Sequence, residues 1–334
     1  MKILIAGLGS IGRRHLRNLQ ALGEEDILLY RTHFSTLPED ELVGLPVETD
    51  LEAALAEGPQ AVIVANPTAL HLEVAIPAAQ AGCHLLIEKP VSHSMDRVDD
   101  LVAAAASSGS QVLVGYHYRY HPGLMRIREL LAQAAIGDVV AARVHWGEYL
   151  PDWHPWEDYR QSYCARRDLG GGVVPTLSHP LDYLRWLIGE MSAVWAFTIQ
   201  TNQLGLDVED TAEIGLRFAS GSLGSVHLDY VQRPHTHWLE IIGTQGSLRW
   251  DNSDGTARMY RAVETGWKVF PPPEGFQRND MYLEEMRHFI QVVRGEASPV
   301  CTLQDGILAL QVCLAVHRSA EAGRVVNLRD ALPI

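Results

Sequence analysis

The sequence has few cysteines and no long apolar run. Its four cysteines are too scattered for a C-x-x-C pair or a disulfide framework, which predicts a reduced protein of the cytoplasm. No apolar run approaches the roughly 20 residues of a membrane-spanning helix. The N-terminal MKILIAGLGS reaches glycines too early for a secretory signal. We therefore expect a soluble, cytoplasmic protein without a membrane partner.

Basic residues are also scarce. The 27 Lys and Arg residues face 41 Asp and Glu residues, which gives a net charge of −14. So acidic a chain repels the phosphates of nucleic acids and of anionic membranes, and its basic residues form no stripe interleaved with aromatics. The 334 residues favour two domains, and an apolar fraction of 47% is enough to build their cores.

Short apolar runs alternate with amphipathic segments over residues 1–120. This alternation indicates βαβ units around a buried parallel sheet, and right-handed crossovers would make it a doubly wound, Rossmann-type α/β domain. The predicted strands are 2–6, 27–31, 61–65, 84–88 and 111–115, and the predicted helices are 11–22, 70–81 and 95–107.

Residues 121–334 show a different pattern, in which turn signals separate successive strand-like runs. It predicts an α+β domain with a large, open, mainly antiparallel sheet. The predicted strands are 138–149, 193–201, 212–219, 221–231, 237–243 and 246–251, and the predicted helices are 122–134, 281–294 and 303–322.

A glycine-rich loop joins the first strand to the first helix. The segment Gly7–Gly12 fits G-x-G-x-x-G, in which the glycines permit a tight turn, backbone approach to a pyrophosphate and close helix packing. The helix N-terminus adds N–H groups and a positive dipole end. The alternative is a purely structural turn. The candidate dinucleotide-binding residues here are Gly7, Gly9, Ser10, Ile11, Gly12 and Arg13.

The end of the second strand lacks the acid of an NAD-preferring site. That acid normally bonds the ribose 2′-hydroxyl about 20 residues after the loop. Here the strand ends in Arg31, Thr32 and His33. Arg31 could pair with a 2′-phosphate and Thr32 could add a hydroxyl, which predicts that NADP(H) is preferred over NAD(H). The alternative is that Arg31 is a solvated strand end.

Lys89 follows a buried strand at the edge where doubly wound sheets place their ligands. Its ammonium could face a substrate oxygen, and Pro90 disfavours a helical conformation at Lys89. The alternative is a surface lysine that begins a loop.

With these motifs, the chain resembles the Gfo/Idh/MocA (glucose-fructose oxidoreductase / inositol dehydrogenase) family of nicotinamide-dependent enzymes. The matching pieces are Gly7–Gly12, Asn66-Pro67-Thr68 with His71, Glu88-Lys89-Pro90, Gly115-Tyr116 before Arg119, Gly170-Gly171-Gly172 with His179 and Asp182, and the ending at 319–326. The resemblance covers nearly the whole chain. It implies sugar-like substrates, cofactor contacts from the Asn66–His71 and Glu88–Pro90 segments, and homodimers or homotetramers joined through the second sheet.

The family pattern is broken at one catalytic position. In many relatives an Asp and, four residues later, a His follow the glycines, and together with the E-K-P lysine they form the catalytic group. His179 matches that histidine, but the acid position falls on Thr176 or Pro175. The resemblance therefore preserves a Lys/His pair and puts the carboxylate in doubt.

Oxidation of an alcohol needs a base and a positive group beside the developing carbonyl oxygen. His179 could take the proton and Lys89 could stabilise the oxygen. Asp182 could orient the imidazole, or it could be a helix-start acid that interacts with the helix dipole.

An aromatic segment precedes the glycine triplet. Its rings and polar tips suit sugar faces and hydroxyls, although packing or oligomer contacts would explain them equally well. The candidate substrate-binding residues are Tyr116, Arg119, Trp153, Trp156, Tyr163, Arg166, Thr176 and His179.

The motifs and the family resemblance together favour an NAD(P)-dependent oxidoreductase. The resemblance implies that it moves a hydride to or from a sugar, amino sugar, sugar nucleotide or cyclitol. One alternative is a glycosidase-like enzyme that uses a retained cofactor transiently. Another is a non-catalytic nicotinamide-binding sensor. The pairs His117/His121 and His235/His237 find no completing ligand in the sequence, so no metal is expected.

Overall fold

The computed structural model describes residues 1–32 and 40–328, so His33 lies outside the described residues. The chain divides into two compact units. The first comprises Met1–His117, Asp168–Gly170 and Arg278–Leu310, and the second comprises Tyr118–Arg167, Gly171–Gln277 and the chain from Gln311 onward.

In the described part of the first unit, six strands form a parallel sheet of order β3-β2-β1-β4-β5-β6. The strands are β1 (Ile3–Ala6), β2 (Ile27–Tyr30), β3 (Val47–Glu48), β4 (Ala61–Val64), β5 (His84–Ile87) and β6 (Val112–Val114). β1 and β4 are fully buried, as expected for strands covered on both faces. The predicted doubly wound sheet is confirmed.

The crossovers between these strands carry four α-helices: α1 (Ser10–Ala21), α2 (Leu51–Ala56), α3 (His71–Gln80) and α4 (Val98–Ser108). Asp50 caps α2, because its carboxylate accepts from the Ala53 amide at 2.8 Å. The sequence did not predict β3 and α2, since two strand residues and six helical residues are too short for a visible period.

In the second unit, the described strands form a nine-stranded sheet of order β14-β13-β12-β11-β7-β10-β9-β8-β15. Only β7 and β10 pair in parallel among these strands, so the sheet is mainly antiparallel, as predicted. The strands are β7 (Val139–Tyr149), β8 (Met191–Ile199), β9 (Thr211–Phe218), β10 (Leu223–Asp229), β11 (Val231–Gly243), β12 (Gly246–Asp251), β13 (Ala257–Arg261), β14 (Lys268–Phe270) and β15 (Val326–Asn327).

One face of this second sheet is buried and the other is open. Along β7, Ala142, Val144 and Trp146 are buried, whereas Arg143 between them is exposed and His145 is half-buried. Three helices also belong to this unit: α5 (Pro122–Ala132), α6 (Val173–Thr176) and α7 (His179–Ile188).

The last two helices are α8 (Arg278–Val293) and α9 (Leu303–Ala322). A single boundary near residue 120 would place α8 in the second domain, but the structure places it in the first unit. Met286 and Phe289 of α8 are fully buried in the same core as Ile3 and Leu16. An apolar stripe in the sequence shows that one face of a helix is buried. It does not show which sheet covers that face.

Short 3-10 turns connect several of these elements: Asp40–Leu42, Thr68–Leu70, His117–Tyr120, Leu150–Asp152, Tyr159–Gln161, Tyr163–Ala165 and Arg167–Leu169. All four cysteines are buried. Among the residues that the structure describes, no helix is both long enough and apolar enough to cross a membrane.

Candidate active site

The three glycines of the loop after β1 have three different surroundings. Gly7 has φ +94°, and a Cβ there would come within 2.5 Å of the Asn66 nitrogen. A Cβ on Gly12 would overlap the Gly7 carbonyl oxygen. A Cβ on Gly9 would meet nothing within 4 Å. Gly7 and Gly12 are therefore required by the fold, whereas the space beside Gly9 suits a ligand that approaches the backbone.

The first turn of α1 is suited to an anion. Gly9 is the N-cap of α1. Among the described residues, no side chain caps this helix and no acidic residue lies in its first turn. Exposed Ser10 and half-buried Ile11 begin the helix. Arg13 is buried, and its Nε donates to the Leu8 carbonyl at 3.1 Å, so it supports the loop from within. The free N–H groups and the positive dipole end at the N-terminus of α1 therefore suit a phosphate.

The end of β2 carries a buried cation. Arg31 is 8% exposed and its amide donates to the Glu48 carbonyl at 3.1 Å, while Thr32 is exposed. Glu48 on β3 pairs in register with Tyr30. Glu48 was not among the predicted cofactor-binding residues, because only the strand order brings it beside the end of β2.

The loops after β4 and β5 are joined through His71. Its Nδ1 lies 3.0 Å from the Pro90 carbonyl, and its Nε2 lies 3.0 Å from the Asn66 carbonyl. Burial lowers the pKa of His71 to about 4, so the ring is neutral near pH 7 and donates to one carbonyl at a time. Asn66 also donates from Nδ2 to Leu70 O at 2.9 Å. Half-buried Pro67 and buried Thr68 complete this loop.

Glu88 is a buried carboxylate directly before Lys89. Burial by itself would raise its pKa, but the hydrogen bond from His15 at 2.7 Å and the charge of Lys89 lower it overall. Lys89 is half-buried at the carboxyl end of β5. Gly115 keeps its backbone against Glu88, where a Cβ would lie 3.2 Å from Oε2, and Tyr116 is fully buried.

His179 is the first residue of α7 and is 2% exposed. Its ring meets the edge of Tyr118 at 4.9 Å between centroids and lies 5.8 Å from Trp146. Among the predicted helices none covered α7, and the packing of His179 against two aromatic rings fixes the position of the imidazole.

The carboxylate of Asp182 accepts two hydrogen bonds from the guanidinium of Arg119. Arg119 donates from Nε to Oδ2 at 2.9 Å and from Nη2 to Oδ1 at 2.6 Å, and both side chains are at most 3% exposed. From the sequence, Arg119 was expected to bind substrate, and Asp182 was expected either to orient the imidazole or to be a helix-start acid. The structure brings the two together as a buried, bidentate ion pair in the first turn of α7.

A carboxylate that the sequence does not reveal lies beside the glycine triplet. Glu209 Oε1 accepts from the Val174 amide at 3.2 Å and lies 3.0 Å from His317 Nε2. A Cβ on Gly172 would overlap this carboxylate. Thr176 itself is buried. Glu209 precedes β9 and carries no local motif, so no signal in the sequence could place it here.

The predicted substrate residues of the aromatic segment differ in exposure. Trp153 packs edge-on against Tyr230 at 5.7 Å, whereas Trp156 is 63% exposed. Tyr163 is half-buried and Arg166 is exposed. Trp156 therefore has an apolar ring available to a ligand, while Trp153 belongs to the packing of the second unit.

Two family models match the chain. "Oxidoreductase family, NAD-binding Rossmann fold" matches residues 1–116, and "Oxidoreductase family, C-terminal alpha/beta domain" matches residues 128–328; both are models of the GFO_IDH_MocA type.

Among the curated relatives, myo-inositol 2-dehydrogenase of Thermotoga maritima is 29% identical over 99% of this chain and 100% of that protein. D-xylose 1-dehydrogenase (NADP(+)) 2 of Haloferax volcanii is 28% identical over 86% of this chain and 87% of that protein. A levoglucosan dehydrogenase solved in complex with NADH has a TM-score of 0.88 at 21% identity, over 98% of this chain and 99% of that one. This structural similarity supports the fold.

Proposed function

The chain belongs to the Gfo/Idh/MocA family of nicotinamide-dependent oxidoreductases, and from this premise we propose that it transfers a hydride between NADP(H) and a CH–OH or carbonyl carbon of a sugar-like substrate. The substrate class comprises sugars, amino sugars, sugar nucleotides and cyclitols. The observation that carries the proposal is the loop after β1, where Gly7 and Gly12 are required sterically and the space beside Gly9 suits a dinucleotide.

The nicotinamide, when bound, accepts or gives up the hydride. We propose that the Lys89 ammonium stabilises the developing substrate oxygen and that the imidazole of His179 takes the hydroxyl proton. Asp182 and Arg119 act as positioning residues, since their ion pair fixes the turn of α7 that begins at His179. The cofactor contacts proposed for Asn66–His71 and Glu88–Pro90 rest on the closeness of these two segments, since His71 Nδ1 lies 3.0 Å from the Pro90 carbonyl.

The central test is turnover in Lys89→Ala. We expect kcat to fall by about 10³-fold because the charge beside the substrate oxygen is lost, while the Kd for NADP(H) changes little. Lys268→Ala on exposed β14 is the matched control and should retain full activity. Full activity in Lys89→Ala would overturn the assigned role.

A second measurement addresses the alternative functions. Stoichiometric reduction of added NADP with an oxidised sugar product supports the proposed dehydrogenase. Turnover with a cofactor that stays bound and shows no net reduction would instead indicate the transient, glycosidase-like use. Binding of nucleotide without any turnover across a sugar panel would indicate a sensor.

The preference for NADP(H) is proposed from Arg31, whose guanidinium could pair with a 2′-phosphate. We expect NADP to bind at least about 10-fold more tightly than NAD, and Arg31→Ala to lower mainly the NADP affinity. Arg97→Ala, an exposed arginine paired with Glu73, is the control. Tighter binding of NAD by the unchanged protein would contradict the proposal and point to Glu48 as the ribose partner.

We propose a homodimer or homotetramer assembled through the open sheet of the second unit, in a reducing, cytoplasmic compartment. The exposed apolar residues Trp195, Phe197 and Ile199 of β8 support this interface, with exposures of 38%, 58% and 56%. Light scattering coupled to size exclusion should give a multimer, and Phe197→Asp should shift it toward the monomer. A monomeric wild-type protein would contradict the proposal.

A further inference from the structure

Two histidines and an aspartate, residue types that can bind metal ions, meet on the open face of the second sheet. β7 and β10 pair in parallel with His145 opposite His227, and Asp229 shares the face of His227 because it lies two residues further along β10. One potential ligand atom from each residue lies within 4.8 Å of the others. We propose that His145, His227 and Asp229 form a binding site for a divalent transition-metal ion such as zinc.

The ligand types decide the class of ion. Two imidazole nitrogens and one carboxylate oxygen are typical of zinc, cobalt and nickel, whereas magnesium and calcium prefer oxygen alone. His227 Nε2 lies 3.0 Å from Asp229 Oδ2, close to the separation of two ligand atoms that share one tetrahedral ion. The rings of His145 and His227 stack with their centroids 4.5 Å apart, which keeps both imidazoles beside Asp229.

The surrounding residues orient these ligands. Asp229 Oδ1 accepts from the amides of Val231 at 2.7 Å and Gln232 at 2.6 Å, which fixes the carboxylate and leaves Oδ2 toward His227. The second nitrogen of His227, Nδ1, lies 2.6 Å from Glu213 Oε1. A carboxylate behind a ligating imidazole is the usual arrangement at protein metal sites.

A glycine makes room for the cluster. Gly147 on β7 pairs in register with Asp229, and a Cβ there would overlap both Asp229 Oδ2 and Gln232 Oε1. Gln232 Oε1 in turn lies 2.5 Å from His145 Nε2. A side chain at position 147 would therefore push the carboxylate and the amide away from the two imidazoles.

Both ring nitrogens of His227 face carboxylate oxygens, one from Glu213 and one from Asp229. The hydrogen bond to Asp229 raises the pKa of His227 despite its burial, and Glu213 on β9 adds to this effect. Asp229 on its own strand and His145 on β7 are the other titratable groups that face it.

The test uses untagged, full-length protein that has been stripped of metal, with Zn²⁺ or Co²⁺ alone as the probe. We expect one ion per chain by titration calorimetry, a Co²⁺ absorption spectrum of low-coordinate type, and a higher Tm with Zn²⁺. In His227→Gln and Asp229→Asn the affinity should fall at least about 10-fold, while Glu213→Gln should weaken it and keep the stoichiometry.

His235→Gln, an exposed histidine outside the cluster, is the matched control and should bind like the wild type. Circular dichroism of the metal-free variants separates a lost ligand from a lost fold. If the wild type binds no Zn²⁺ or Co²⁺, or if folded His227→Gln and Asp229→Asn bind it as tightly as the wild type, the cluster is a hydrogen-bonded network only and the proposal is wrong.

Discussion

The two sheets place their polar residues in different positions. In the parallel sheet of the first unit, β1 and β4 are buried throughout, and the polar candidates Arg31 and Lys89 lie where strands end. In the mixed sheet of the second unit, polar residues such as His145 and His227 occur within strands on the open face. In the first sheet, candidate functional residues can therefore be identified at the ends of strands. In the second sheet, they can be identified only when the order of neighbouring strands is known.

Two buried carboxyl groups, one in each unit, have different surroundings. In the second unit, Asp182 is matched by the two donors of Arg119. In the first unit, Glu285 is fully buried, and within the described residues neither of its oxygens has a hydrogen-bond partner. We therefore expect substitutions at Asp182–Arg119 and at Glu285 to change the free energy of unfolding in different ways.

The largest effect is expected at the matched pair of the second unit. Arg119→Ala leaves Asp182 as an uncompensated buried charge, which costs about 3–5 kcal/mol of the free energy of unfolding. Urea denaturation followed by tryptophan fluorescence measures the loss. The double variant Arg119→Met/Asp182→Leu should recover most of it, and a loss below about 1 kcal/mol in Arg119→Ala would show that the pair contributes little.

The glycine loop of the first unit should separate folding from binding. Gly12→Ala forces its Cβ into the Gly7 carbonyl, so both Tm and NADP(H) affinity should fall, the affinity by about 100-fold or more. Gly9→Ala adds a Cβ in open space and should leave Tm unchanged while it weakens NADP(H) binding. Thermal unfolding and nucleotide titration give both quantities. Unaltered NADP(H) binding in Gly9→Ala would argue against a dinucleotide at this loop.

Glu285 should give the first unit an unusual pH dependence. Burial and the nearby Glu88 raise the pKa of Glu285 well above its usual range, so the folded protein keeps this proton. Its contribution to stability is complete below the ordinary glutamate pKa and is lost as the pH rises above it. Glu285→Gln should therefore gain stability relative to the wild type between about pH 5 and pH 7.

The matched control for this prediction is Glu284→Gln, one residue earlier on α8, where the side chain is exposed beside Arg287. It removes an exposed carboxylate from the same helix and should leave the fold intact. Parallel slopes for wild type and Glu285→Gln would mean that Glu285 is ionised in the folded protein.

The smallest effect is expected for an exposed ion pair on the open face of the second sheet. Arg249 is 55% exposed and lies 2.7 Å from Glu240 on the neighbouring strand. Arg249→Met should cost less than about 1 kcal/mol, and high salt should reduce the cost further. A loss as large as that of Arg119→Ala would contradict the distinction between buried and exposed pairs.

Individual elements show how far the sequence predicts this fold. β1, β4 and β5 were predicted to within one residue, because strands buried on both faces are continuous apolar runs. β11 begins at Val231 and not at 237, since a register shift between Val231 and Thr236 interrupts the alternation there. β13 and β14 were not predicted, because short strands near a sheet edge carry little periodic signal.

The sequence by itself determined the features that depend on neighbours along the chain. These are the Gly7–Gly12 loop between a strand and a helix, Lys89 at the end of a buried strand, and the family to which the chain belongs. Turn geometry, capping and buried apolar runs are local, so they are visible in the order of residues.

Only the tertiary structure decided which distant residues meet. It paired Arg119 with Asp182, placed Glu209 against Gly172, packed α8 in the first unit, and aligned His145 with His227 and Asp229. The physical reason is that strand order, register and packing bring together residues far apart in the chain. No local pattern of residue types encodes those contacts.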